Sequence, residues 1–348
     1  MSIKIANRTI GEGKPCFIIA EAGVNHNGDI KLAKQLIDVA KKAGADAVKF
    51  QTFTAEKVST RYAEKAEYLK KTTNKEESHY EILRKQELSE KAHVELKKYA
   101  DSQKIIFLST PYDKESVELL VRLGIPALKV SSADITNYPL LTHIACQKLP
   151  VILSTGMSTL GEIEDAVRVV KNTGNEQLIL LHCNFNYPAR IEDINLMAMN
   201  TLKQAFGFPV GYSDHTMNFE VSLAAITLGA VVIEKHFTLN RNLPGADHRA
   251  SLEPCELKDM IARIRNVELA LGSPEKRPTG EEIPNRKISR RSIVAAISIP
   301  KGIVITDNMI DTKRPGTGIS PKYFAGIVGL KTISDIKKDE LITWHKVG

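Results

Sequence analysis

The sequence predicts an α/β protein: a closed (β/α)8 barrel over residues 1–271, a linker at 272–286 and a small, mostly β module at 287–348. Three observations carry this expectation. Eight short apolar runs alternate with eight amphipathic runs between residues 16 and 271. Near-continuous apolar strands joined by helical crossovers imply a parallel sheet. The count of eight favours the closed barrel over an open doubly wound sheet, which carries no expectation of eight units.

The strands are expected at 16–23, 46–52, 105–110, 127–132, 151–156, 178–183, 209–214 and 231–237. The helices are expected at 30–43, 89–101, 114–123, 138–147, 160–172, 196–206, 219–229 and 254–271. Helix 160–172 shows the helical period well: Leu160, Ile163, Val167 and Val170 recur every three or four residues, with charged residues between them. The polar stretch 53–88 is too long for a simple loop. It follows the second strand on the face where barrels build their sites, so it reads as a substrate lid, with a decorative insertion as the alternative. Residues 272–286 hold three prolines, two glycines and six charges, a linker composition. The final module carries short strand-like runs (SIVAAISI, GIVI, LITW) and would have a marginal core alone.

Composition narrows the function classes. Hydrophobic residues make up 43% and charged residues 26% of 348, which excludes disorder and low-complexity fibres. No apolar run approaches the roughly 20 residues of a membrane span, and the first residues lack the apolar core of a secretion signal. Four scattered cysteines form no CxxC pair, which suits a reducing cytosol. The net charge of +7 is concentrated at the end: residues 287–348 hold eleven Lys/Arg against five Asp/Glu. A solvated face, nucleic acid or an anionic small substrate would each suit such a tail.

The strand ends are polar throughout, the eighth carrying the run Glu234-Lys235-His236. Glu21 closes the first, Lys49 and Gln51 lie on the second, and Thr110 closes the third. Lys129, Ser132 and Asp134 follow on the fourth, Ser154 on the fifth, Asn184 and Tyr187 after the sixth, Ser213 and His215 on the seventh, and Glu234 and His236 on the eighth. His215 and His236 end consecutive strands. Two adjacent imidazoles make an open divalent-metal site able to polarise a carbonyl; each alone would be an ordinary hydrogen-bonded histidine. His26, His182 and His248 could join that site, whereas His79, His93, His143 and His345 read as surface or helix residues. Lys49 and Lys129, ringed by hydroxyls, suit a compact anion carrying phosphate and carboxylate. Lys49 could equally be a buried ion pair with Glu21 or Glu234. Asp134 could be a general base toward water or a turn former. No phosphate-binding glycine loop is present, so no nucleotide is implied.

The runs IIAEAGVNHNGD (18–29), VKFQTF (48–53), LSTPYD (108–113), ILSTGM (152–157), GYSDHT (211–216), EKHFTL (234–239) and KRPGTGIS (313–320) resemble the sialic acid synthase family over nearly the whole chain. The resemblance implies a (β/α)8 barrel with a C-terminal antifreeze-like (SAF) domain. It also implies condensation of phosphoenolpyruvate with an N-acyl hexosamine to a nine-carbon 2-keto-3-deoxy sugar acid and phosphate. N-acetylmannosamine is the family default and the favoured acceptor; a 2,4-diacetamido-6-deoxymannose is the alternative. In matching positions, the resemblance implies that His215 and His236 hold a divalent metal, usually Mn2+, with Mg2+ or Co2+ able to replace it. It assigns Lys49, Thr110, Lys129, Ser132, Ser154, Asn184 and Ser213 to phosphoenolpyruvate, and Glu21, Gln51, Asn74, Tyr187 and Asp247 to the sugar. Asp134 matches the carboxylate that activates water. Arg314 matches an arginine laid over the sugar by the other subunit of a domain-swapped homodimer. Neither nucleic acid nor membrane is an implied partner. The segment HCNFNYPA (182–189) departs from the family pattern at Phe185 and Asn186, where bacterial relatives commonly carry a polar pair.

The residue chemistry leaves rivals open. A Schiff-base aldolase would use Lys49 or Lys129 as nucleophile. A metal hydrolase would be expected to need more than two histidines. A non-enzymatic reading makes 287–348 a nucleic-acid- or ice-binding module on an inert barrel.

Overall fold

The computed structural model describes residues 1–65, 69–70 and 76–348. The chain divides into two compact units, Met1–Gly272 and Ser273–Gly348.

The first unit begins with an antiparallel hairpin, β1 (Ser2–Ile5) and β2 (Arg8–Gly11), which the sequence reading did not foresee. Its alternation buries Ile3, Ile5 and Ile10 in one cluster with Phe17, Ile19, Ala47, Ile179 and Val232. The hairpin therefore packs on the interior core of the barrel at the N-terminal ends of the strands.

Eight parallel strands follow: β3 (Phe17–Gly23), β4 (Ala47–Thr52), β5 (Ile106–Pro111), β6 (Leu128–Val130), β7 (Val151–Ser154), β8 (Leu178–Cys183), β9 (Val210–Asp214) and β10 (Val232–His236). Their order is β5-β4-β3-β10-β9-β8-β7-β6, and β5 and β6 face each other across the seam that nearly closes the barrel. Side chains alternate across each strand. Ile18, Val48, Phe107, Leu153, Leu180 and Ile233 face the surrounding helices. Ile19, Ala47, Leu108, Ile152 and Ile179 fill the interior. The inward positions further along the same strands carry the polar residues.

The helices have local causes. In α1 (Ile30–Ala43), Asp29 caps the first turn and Gly44, at φ 90°, ends the helix in the left-handed region. The insertion after β4 contributes α2 (Ala55–Val58) and α3 (His79–Gln86), the latter opened by a Ser78–Glu81 capping box. The outer layer continues with α4 (Glu90–Ser102), α5 (Lys114–Arg122), α6 (Tyr138–Cys146), α7 (Leu160–Asn172), α8 (Ala198–Phe206), α9 (Glu220–Thr227) and α10 (Pro254–Leu271). In α7 the buried stripe is Ile163, Ala166, Val167 and Val170, while Leu160 stays exposed on the first turn.

In the second unit, α11 (Glu282–Ser289) occupies the end of the stretch read as linker. Thr279 and Glu282 bond reciprocally in the turn that leads into it. Strands β11 (Ser292–Ala295) and β12 (Ile310–Lys313) pair antiparallel. The GIVI and LITW runs join only through isolated bridges such as Val304↔Lys331 and Val294↔Leu341. The core is mostly isoleucine: Ile293, Ile299, Ile305, Ile310, Ile319, Ile327, Ile336 and Ile342. No helix among the described residues is long and apolar enough to cross a membrane.

Candidate active site

The C-terminal ends of the strands surround a cavity with an inner and an outer part. The inner part is lined by Glu21, Lys49, Thr110, Lys129, Ser132, Ser154, Ser213, His215, Glu234 and His236. The outer part, of about 380 Å³, shares Gln51, Tyr112, Ser131, Phe185, Tyr187 and His236 with it and adds Asp134 and Asp247.

The inner part is a ring of charges shut off from water. Lys49 Nζ lies 2.9 Å from Glu21 Oε2 and 3.8 Å from Glu234 Oε2, and donates to Thr110 Oγ1 at 2.9 Å. The ion-pair alternative for Lys49 is thus realised with both carboxylates, inside the very cavity expected for the anion. Lys129 Nζ donates to Ser154 Oγ at 2.6 Å and lies 3.8 Å from Glu234 Oε1. Glu234 also accepts from Ser213 Oγ at 3.2 Å. The pKa shifts follow from this layout. Burial alone would lower Lys49, but Glu21 and Glu234 hold it above its usual range. Burial lowers Lys129, whose carboxylate neighbours compensate less. Burial raises the Glu21 carboxyl to about 7, with Glu234 adding to the effect. Burial would also raise Glu234, but Lys129 and Lys49 outweigh it and keep it ionised. Ser132 Oγ accepts from the Gly156 N–H at 2.9 Å and sits 3.2 Å from Cys183 Sγ.

His215 and His236 lie side by side, their ring centroids 5.4 Å apart. His215 Nδ1 donates to the Asn184 carbonyl at 2.5 Å, which fixes the tautomer and leaves Nε2 as the basic nitrogen. Burial brings His215 down to about 4 and His236 well below its usual range, so both rings are neutral. His236 Nδ1 is buried, makes no hydrogen bond, and lies 3.8 Å from Asp247 Oδ2. Two neutral, adjacent imidazoles, one with an unpartnered buried nitrogen, fit a divalent metal. Among the described residues no group of three or more His, Cys, Asp or Glu side chains is arranged to hold one, so the donor set fits an open site completed by water or substrate.

Toward the opening, the Tyr187 ring packs 4.2 Å from His215 and 5.5 Å from His236, with Phe185 edge-on against it. Gln51 Nε2 approaches Glu21 Oε1 at 3.5 Å. Burial raises Asp247 to about 6. Asp134 ends a 3-10 turn (Ser132–Asp134), accepts from Asn137 Nδ2 at 3.0 Å, and is raised by burial. The insertion walls this part with Phe53, Lys57, Leu69, Ile82 and Leu83.

Not every expected residue joins the cavity. The Asn184 side chain turns away to donate to the Asp193 carbonyl at 2.7 Å; only its backbone serves the site, through His215. Asn74 lies outside the described residues. Arg314 is exposed just after β12 in the second unit. His26, His182 and His248 bond to the Gly28 N–H, the Ile194 carbonyl and Thr238 Oγ1 and line neither part. His79, read as a surface residue, lines the outer part. Tyr112 was not among the expected site residues, and Glu234 was expected only at a strand end and as an ion-pair alternative for Lys49. Alternation would have found both: Glu234 shares its strand face with His236, and Tyr112 with Thr110.

Comparisons with known proteins agree with this fold. The NeuB family model matches residues 36–276 and the SAF domain model residues 290–348. An N,N'-diacetyllegionaminic acid synthase of Campylobacter jejuni is 48% identical, over 94% of this chain and 99% of the relative. One of the same name from Legionella pneumophila is 46% identical, over 98% and 99%. The crystal structure of an N-acetylneuraminic acid synthetase from Leptospira borgpetersenii, bound to citrate, is 38% identical and covers 82% of this chain and 95% of that one at a TM-score of 0.73. With the barrel, the inward cations and the C-terminal unit all in place, the chain belongs to the NeuB family of phosphoenolpyruvate-dependent nonulosonate synthases.

Proposed function

We propose that this enzyme condenses phosphoenolpyruvate with the open-chain form of 2,4-diacetamido-2,4,6-trideoxymannose, giving N,N'-diacetyllegionaminate and phosphate. The observation that carries the choice of sugar is the apolar wall of the outer cavity. Val24, Phe53, Leu69 and Ala246 pack there with Val58 and Leu83, and Phe185 faces the same space. A C6 methyl group suits the apolar part of this lining, whereas the C6 hydroxyl of N-acetylmannosamine would have to turn toward the polar side chains of the same cavity, such as His79, Gln86 and Asn137, to keep a partner. The names of the relatives at 46% and 48% identity support the same sugar. The N-acetylmannosamine favoured from sequence alone therefore gives way to the alternative.

In this reading Lys49 and Lys129, with the hydroxyls of Thr110, Ser132, Ser154 and Ser213, hold the phosphate and carboxylate of phosphoenolpyruvate. Glu21, Gln51, Tyr187 and Asp247 orient the sugar so that its aldehyde carbon faces C3 of phosphoenolpyruvate. A divalent ion on His215 and His236, Mn2+ first with Mg2+ or Co2+ as substitutes, would supply Lewis acidity at the aldehyde oxygen. The new C–C bond forms from C3, water adds at C2, and phosphate leaves by C–O cleavage. Asp134 takes the proton of that water; its burial-raised pKa brings it closer to the working range of a base. The resemblance further supports a domain-swapped homodimer in which Arg314 covers the sugar of the other subunit.

The test is phosphate release from phosphoenolpyruvate with the diacetamido sugar and N-acetylmannosamine, each with and without Mn2+. The diacetamido sugar should give the higher kcat/KM, and only with metal. A higher value for N-acetylmannosamine would overturn the sugar assignment.

A further inference from the structure

Side chains alternate along a strand, so the chain neighbours of the two imidazoles point out of the barrel. Asp214 precedes His215, Lys235 precedes His236, and the two are register partners on β9 and β10. Both side chains are fully shielded from water, with Nζ 3.2 Å from Oδ1. Lys235 Nζ also donates to the carbonyls of Thr216 and Asn218, at 2.6 Å each. These three acceptors use all three N–H donors of the ammonium. Asp214 Oδ1 accepts from the Thr216 N–H at 2.8 Å and from its hydroxyl at 2.7 Å. Asp214 Oδ2 accepts from Ser222 Oγ, on α9, at 2.6 Å.

A lysine with no exposed surface is costly even when paired, and an apolar pair of similar shape would serve stability as well or better. Neither residue lines the cavity. Yet the bonds of the pair converge on one object, the turn 216–218 that directly follows His215, and on the helix behind it. From the other side, His215 is gripped by the Asn184 carbonyl, which accepts from its Nδ1, and by the Ala189 N–H, which donates to the His215 carbonyl at 2.8 Å. The His215 backbone is therefore held on both sides, and the strand end bearing His236 is tied to the same turn.

We propose that Asp214 and Lys235 are a positioning pair that holds His215 and His236 at the spacing a divalent ion requires. This rests on the reading that those two histidines carry the metal. The pair acts on the metal through backbone placement alone, so it should govern metal affinity first; Lys49 and Lys129, the cations of the phosphoenolpyruvate site, bond neither residue of the pair.

The experiment is titration of the full-length protein with Mn2+, free ion being followed by electron paramagnetic resonance. The variant is the double substitution Asp214→Asn with Lys235→Met, which removes both charges and leaves neither one bare. Its Kd for Mn2+ should rise roughly 10- to 100-fold, the usual effect of losing groups that orient metal ligands. The KM for phosphoenolpyruvate at saturating Mn2+ should stay at the parent value. A folded double variant with parental Mn2+ affinity would overturn the proposal. If the double variant does not fold, Ser222→Ala carries the test: losing one hydrogen bond to Asp214 should raise the Kd about threefold, and an unchanged Kd refutes the pair's role. Parental Mn2+ binding by His215→Ala would instead overturn the metal site, and this inference with it.

Discussion

Lys49→Met tests the charge ring directly. In the parent, Glu21 titrates at about 7, against roughly 4.3 in an unfolded chain. A carboxyl raised on folding binds more protons folded than unfolded, so stability falls as pH rises through the window between those two values and levels off above the higher one. The Glu21 contribution in the parent is therefore nearly flat above pH 7. Lys49 lies 2.9 Å from Glu21, and at an effective dielectric of about 20 such a pair interacts by about 6 kcal/mol, or roughly four pKa units. Without the ammonium, Glu21 should stay protonated past pH 9. The variant then continues to lose about 1.4 kcal/mol per pH unit where the parent has stopped. Between pH 7 and pH 9 it should lose about 2 to 3 kcal/mol more than the parent. Urea unfolding at pH 7, 8 and 9 measures this. It should be followed by far-UV ellipticity, because the single tryptophan, Trp344, lies in the C-terminal unit. Parallel stability curves for parent and variant would show that Glu21 is not held by Lys49, and the account of the ring would fail.

His215→Ala and His236→Ala should each abolish metal-dependent turnover with unfolding unchanged by circular dichroism; full activity in either would remove the metal assignment. Asp134→Asn should lower kcat by about 10²- to 10⁴-fold with little change in the KM for phosphoenolpyruvate; a wild-type kcat would leave Asp134 a turn former. Deleting 287–348 or replacing Arg314 by Ala should remove turnover while the barrel stays folded, and parental rates would refute the Arg314 role. Borohydride with pyruvate should trap no covalent adduct, since Lys49 is held as an ammonium and Lys129 is bound to Ser154 and Val130; a trapped lysine would revive the aldolase reading.

The barrel was legible because each of its units carries its own signal. Strands buried on both faces are apolar over most of their length, and several helices mark their entry chemically, as Asp29 and Thr159 do. Elements without such redundancy were not legible. The hairpin at residues 2–11 has four-residue strands and only three buried isoleucines, Ile3, Ile5 and Ile10, a pattern too short to separate from chance. The LITW run looked like a strand because its composition is right, but it forms a single isolated bridge, Leu341 to Val294, with Ile342 bonded to Ile293 and Ile319, and no ladder. Strand pairing depends on a partner far away in sequence, which no local window contains.

The site was legible by a different route, and its gaps show why. Residue types at strand ends picked out Lys49, Lys129, His215 and His236 because a cation or an imidazole is anomalous in an apolar run. Glu234 was passed over as one member of a polar triplet, Glu234-Lys235-His236, though the three residues do different things. Glu234 and His236 face the cavity, while Lys235 is sealed behind the sheet against Asp214. Strand period separates them without any structure. Applied to Ser213-Asp214-His215, the same period puts Ser213 and His215 inside and Asp214 outside, where it meets Lys235 in register. The same logic explains Asn184. It follows the last residue of β8, where the strand period no longer governs the side chain, and the chain uses its carbonyl rather than its amide. His215 and Tyr112 also follow the last residue of their strands and keep the period, whereas Asn184 does not, so past a strand end the period alone does not tell which group serves the site.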